Sequence, residues 1–275
     1  MSTTKRFVTF SGITFLFSWL LWLPVVILGL PTTSPGTGAV LFWAGGFGPS
    51  LVGAIYLLAS RPRQRPAELI ARVSNPSRIG VKWTVVALFF YPLAFILSVL
   101  IAGSFGSGLP EMGGWTAASE SPWMVARTMI MILLLGPVSE EIGWRGYALP
   151  LLQREHSPII VSLIIGAVWW AWHIPLFFME GTLHASQGIL SAFSAGYLVT
   201  VLSYSVWFTW IYSHTRSSIL VAILAHFSVN ATIAMASPFE PAIFAIATVI
   251  LAAGAFFLHP KSERRVSSSV PSVST

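Results

Sequence analysis

The sequence predicts an all-α fold: a polytopic membrane bundle of about eight transmembrane helices. Three observations predict it. Only 9% of the residues are charged and 55% are hydrophobic, whereas a soluble domain carries roughly 25% charged residues. The apolar residues gather in eight stretches, each near the ~20 residues that a helix needs to cross hydrocarbon. Lysine and arginine fall on alternate connections between those stretches, as the positive-inside rule expects.

The first stretch, 7–30, follows Lys5 and Arg6. It is too long for the core of a signal peptide, and no A-x-A site follows it. The second, 39–59, leads into a basic connection with Arg61, Arg63, Arg65, Arg72, Arg78 and Lys82. After the third, 83–102, come Glu111 and Glu120. The fourth, 123–149, and the fifth, 158–179, turn at Arg154. Glu180 precedes the sixth, 188–212; Arg216 separates it from the seventh, 217–236; Glu240 opens the eighth, 240–259. The breaks carry Pro, Gly, Ser and charge, as turns do. Both termini are then cytoplasmic, and only Arg127 and Arg145, inside the fourth stretch, lie outside the scheme. Trp83, Trp123, Trp207 and Trp210 sit toward span ends, as an aromatic belt would. A bacterial-type plasma membrane fits this plan. The chain divides into three N-terminal spans over 1–120, a helical core over 121–260, and a disordered cytoplasmic tail over 261–275. No period-2 alternation supports a barrel, so the backbone must be satisfied within helices.

Composition also excludes. There is no cysteine, hence no thiol nucleophile, thiolate metal site or disulfide. The net charge of +6 is clustered beside apolar spans rather than interleaved with aromatics, which argues against nucleic acid as a partner.

What remains informative is the set of polar groups within spans. Glu140 and Glu141 stand side by side in the fourth, and Arg145 follows Glu141 by four residues. His173 lies in the fifth, and His226 and Asn230 in the seventh. A charged side chain in hydrocarbon costs several kcal/mol, so such groups pair, face a polar cavity or do chemistry. Glu140 and His173 are each about 16 residues from the turn near Glu155–Ser157, which puts them at equal depth in an antiparallel hairpin. His226 is about ten residues past Arg216, roughly 15 Å in, and Asn230 is one turn further on the same face. Glu140, His173, His226 and Asn230 are therefore the candidate catalytic residues. Glu141 and Arg145 read as a supporting ion pair. His156, His184, His214 and His259 fall at loops or span ends and read as solvated.

A carboxylate beside a histidine can deprotonate water, and a second histidine with an amide can stabilise an oxyanion. Two histidines and a glutamate are equally a Zn2+ ligand set with a position open for water. The residues leave a metal-assisted and a metal-free reaction both open. Either suits hydrolysis of a peptide bond. The H-E-x-x-H and G-x-S-x-G signatures are absent.

The motifs Glu140-Glu141-x-x-x-Arg145, Trp169-x-x-x-His173 and His226-x-x-x-Asn230 resemble, in order, the three motifs of the CPBP intramembrane proteases. That family includes the type II CAAX prenyl endopeptidases and bacteriocin-processing or self-immunity proteins. Its second motif usually begins with Phe, where this chain has Trp169. The resemblance covers about 140–230 and implies a membrane-embedded endopeptidase. Glu140 would activate water with help from His173. His226 and Asn230 would hold the oxyanion, with Glu141, Arg145 and Trp169 in support. The partners implied are the lipid bilayer and a protein or peptide substrate, prenylated or otherwise hydrophobic. Two other classes fit the same polar groups: an ion-coupled transporter, against which the lack of an inverted repeat weighs, and a non-catalytic peptide-binding immunity or scaffold protein.

Overall fold

The computed structural model describes residues 2–59, 65–106, 121–236 and 241–258. The expectations for Arg61, Arg63, Glu111, Glu120, Glu240, Lys261, Arg264, Arg265 and the tail lie outside the described residues. Every described element is helical: α1 (Thr3–Ile27), α2 (Thr37–Gly46), α3 (Gly48–Ala59), α4 (Arg65–Ser74), α5 (Gly80–Ser104), α6 (Pro122–Leu152), α7 (Pro158–Trp172), α8 (Leu183–Gln187), α9 (Ala192–Ser213), α10 (Ile219–Ala236) and α11 (Pro241–Leu258), with short 3₁₀ turns at Pro76–Arg78 and Ile174–Phe178.

Among the described residues, six helices are long and apolar enough to cross a membrane, and a seventh span arises if α2 and α3 count as one. The sequence predicts about eight. The difference lies at two places. The stretch 39–59 is broken and bends by 42° between α2 and α3. The last stretch coincides with α11, whose described apolar part, Phe244–Gly254, is short. The bend has a local cause. Pro49 opens α3 and offers no N–H, and glycines flank Phe47. Side chains of α1 take up the carbonyls left over at the break: Ser18 Oγ donates to Gly45 O at 2.7 Å and Trp22 Nε1 to Phe42 O at 2.8 Å.

The basic connection 60–82, predicted as a loop, contains the amphipathic helix α4. Its Arg72 is tied into the bundle. Nε donates to Ser217 O at 3.0 Å, Nη2 to Tyr212 Oη at 2.7 Å, and the guanidinium lies 3.4 Å from Gly146 O of α6. Arg78 pairs with Glu68 at 2.8 Å, and Arg216 Nη2 donates to Ser77 O at 2.6 Å.

The centre of the bundle is α6. It widens into π-helical turns at Leu134–Val138 and Ile142–Ala148, on either side of Ser139–Glu141. Pro137 removes a backbone donor from the first. Such turns re-aim side chains and often mark functional sites. The second turn lies against α3, where Gly143 and Gly53 let the two backbones touch; a Cβ on either would collide with the facing main chain. Close approach through small residues is how helices pack where hydrocarbon supplies no hydrophobic drive. Around α6, α7 packs on α9, α9 also on α11, and α10 on α5, which meets α11 in turn.

Candidate active site

Successive residues on a helix point about 100° apart, so Glu140 and Glu141 face different partners. Glu140, 6% exposed, turns toward α7 and accepts a hydrogen bond from Trp169 Nε1 at 2.5 Å on Oε2. Glu141 is fully buried, and its Oε1 serves two donors. Arg145 Nη1 lies 3.1 Å away and His226 Nδ1 2.8 Å away. The Arg145 guanidinium is also fully buried, sandwiched between the rings of Trp169 and Phe208 at 4.9 and 4.7 Å. Those aromatic faces stand in for missing hydrogen-bond acceptors, since Nε and Nη2 have no hydrogen-bond partner among the described residues.

His173 follows the last residue of α7. Its Nδ1 is 2.7 Å from the carbonyl oxygen of Trp169, one turn back. A carbonyl only accepts, so Nδ1 carries the proton and Nε2 of the neutral ring is left as a base. The same reasoning applies to His226, whose Nδ1 faces a carboxylate. One acceptor therefore fixes each ring and leaves the other nitrogen free. His226 is further held edge-on to Trp169 at 5.3 Å and beside Phe208 at 5.7 Å.

Glu140, Trp169, His173, His226 and Asn230 line one cavity of about 500 Å³. The four candidate catalytic residues thus come together from three helices, as equal depth implied. Gly136, in the first wide turn of α6, leaves open space beside the Asn230 amide; a Cβ there would stand 3.0 Å from Nδ2. The rest of the wall is mainly apolar, with Leu176, Leu183, Phe193, Val201, Ile233 and Phe244.

The family model for the Rce1-like type II CAAX prenyl endopeptidases matches residues 122–232. A CAAX prenyl protease 2 of Methanococcus maripaludis is 27% identical over 223 residues, covering 79% of this chain and 80% of that protein. Over residues 122–232 the chain is similar to the Rce1-like type II CAAX prenyl endopeptidases. The similarity supports a peptidase rather than a carrier or scaffold, and the apolar helices support a multi-pass membrane protein.

Two features escape a reading of the sequence. Glu141 serves His226 as well as Arg145, a link between helices that intrahelical spacing does not reveal. Trp169, expected only as support, holds Glu140 directly. One expectation is corrected. His184, read as a solvated loop residue, lies on α8, lines the cavity and stacks on His173, with 6.1 Å between centroids and 14° between planes. The loop returns inward after Phe178, so counting depth from span ends misplaces it. Tyr197, packed against His173 and His184, carries no signal within its apolar stretch.

Glu140, His173 and His226 have the right donor types for Zn2+. Among the described residues, however, no three His, Cys, Asp or Glu side chains are grouped closely enough to hold an ion. Zinc would require these three to draw together.

Proposed function

We propose that this peptidase is an intramembrane endopeptidase that cleaves a lipidated peptide with water activated by Glu140. The observation that carries the reading is the Glu140 carboxylate, held at one oxygen by Trp169 and facing the cavity shared with His173, His226 and Asn230. With Oε2 occupied, Oε1 is available to take a proton from water as the water oxygen attacks the scissile carbonyl. Nε2 of His173 accepts a hydrogen bond from the same water and orients it. The Asn230 amide donates to the oxyanion that forms. His226 donates from Nε2 only when its ring carries both protons, a form whose charge the Glu141 carboxylate would balance. Collapse of the tetrahedral intermediate breaks the C–N bond, and the proton on Glu140 passes to the leaving amine.

A prenylated substrate is supported by the relative's name and by the apolar wall of the cavity. A prenyl group on the peptide would suit the apolar side, and the polar residues would meet the main chain. The test is cleavage of a prenylated CAAX peptide by purified protein, with its unprenylated form as control, with and without chelator. Cleavage of the prenylated peptide in chelator is the expected result. Loss of cleavage in chelator, restored by zinc, would replace the glutamate reaction by a metal-assisted one.

Both termini are proposed to be cytoplasmic, supported by the spacing of Lys and Arg along the chain. Reporter fusions after Arg65 and Lys261 should read as cytoplasmic and one after Glu111 as exterior. A fusion after Arg65 that reads as exterior would reverse the orientation.

A further inference from the structure

We propose that His184 is a substrate-binding residue of the cavity, bonding through Nε2 to the main chain of an extended peptide about two residues from the bond that is cut. The proposal rests on the reading of the Glu140 site given above.

Four observations carry it. His184 faces the same cavity as His173, from a different element. Its Nε2 is buried and has no hydrogen-bond partner among the described residues. A buried polar atom left unpaired costs free energy, so a turn of the ring that brings Nε2 to a ligand in the cavity gains what the free enzyme lacks. Burial pushes the ring down to about 4, so it is neutral at neutral pH and offers one donor and one acceptor. The two imidazoles are nearly parallel, 6.1 Å apart. An extended chain advances about 3.3 Å per residue, so two residues span roughly 6.6 Å. With His173 at the cleaved bond, His184 comes level with the peptide group two residues along.

The ring is also placed firmly enough for this role. Phe177 and Tyr197 pack edge-on against it, at 5.0 and 4.7 Å. The helix that bears it is fixed at its start by Thr182, whose Oγ1 accepts from Ala185 N at 3.1 Å and donates to Leu176 O at 2.6 Å. It is ended by Gly188, at a φ of 78° that favours glycine. Aromatic packing alone would account for a phenyl ring at this position, but not for a buried nitrogen without a partner.

The experiment uses the full chain and a prenylated fluorogenic CAAX peptide, together with versions shortened one residue at a time from either end. His184→Phe keeps the ring packing and removes the nitrogen, and His184→Leu serves if the phenylalanine variant does not accumulate. Either should raise KM by roughly 3- to 10-fold, the effect of one neutral hydrogen bond, while the change in kcat stays smaller. His184→Gln should recover part of the loss. One shortening should cost the wild type the same factor and the variant nothing further, so that the preference for the longer peptide disappears. A fall in kcat with KM unchanged, or the same penalty for every peptide length, would reduce His184 to a packing residue and overturn the proposal. Binding of the intact peptide to Glu140→Gln, with and without the His184 change, separates the two readings. If Glu140→Gln still cleaves, the proposed reaction fails, whereas the effect of His184 on binding is read independently.

Discussion

Glu140→Gln is expected to leave the protein folded and inserted while lowering turnover by at least about 10²-fold. The substitution keeps the shape of the side chain and can keep an acceptor oxygen for Trp169 Nε1, which in the wild type bonds Oε2 at 2.5 Å. What it removes is affinity for a proton. A residue that only packs or only accepts from Trp169 would tolerate the exchange. His226→Ala and Asn230→Ala should also slow turnover, by the 10²- to 10³-fold typical of a lost oxyanion donor. Initial rates with the prenylated peptide, beside the melting temperature of each variant, provide the measurement. Near-wild-type cleavage by Glu140→Gln at an unchanged melting temperature would remove Glu140 from the role of base and end the mechanism proposed here.

Arg145→Ala should act on the fold instead. The guanidinium and the Glu141 carboxylate are both fully buried, 3.1 Å apart. Without Arg145, Glu141 keeps a single donor, His226, since its Oε2 already has no partner among the described residues. Breaking a buried ion pair from one side costs about 3–5 kcal/mol, a large share of the 5–15 kcal/mol that holds a typical protein together. The loss also opens a gap between Trp169 and Phe208. Less protein in membranes and a lower melting temperature are therefore expected. Arg145→Lys should recover only part of the loss, because an ammonium has no planar face to lie between two rings. Normal accumulation and stability combined with complete loss of activity would move Arg145 from support into the chemistry.

Much of this was legible in the sequence, because hydrocarbon makes polar residues conspicuous. Glu140, His173, His226 and Asn230 stood out against apolar runs, and helical rise alone put them at one depth. Partnerships across helices were harder to read. Rotation about the α6 axis decides whether a side chain meets Trp169 or His226, and the wide turns on either side of Glu140–Glu141 change that rotation. Nothing in the spacing of Leu134–Ala148 signals those turns apart from Pro137 and the glycines. His184 was hidden for a different reason: a connection that folds back into the bundle has the composition of one that does not. The break at Phe47 and the helix α4 were missed similarly, since continuous apolarity conceals a bend and a basic stretch conceals its amphipathic period.

Arg72 has a consequence for how orientation in the bilayer is to be probed. It belongs to the cluster of positive charge that would keep its connection in the cytoplasm, and it also braces α6 near Gly146 and the corner at Tyr212 and Ser217. Neutralising it would alter a proposed insertion signal and loosen a strut of α6 in one stroke. A charge-deletion series through this connection would therefore confound misinsertion with local collapse, and tags added outside the bundle are the cleaner probe.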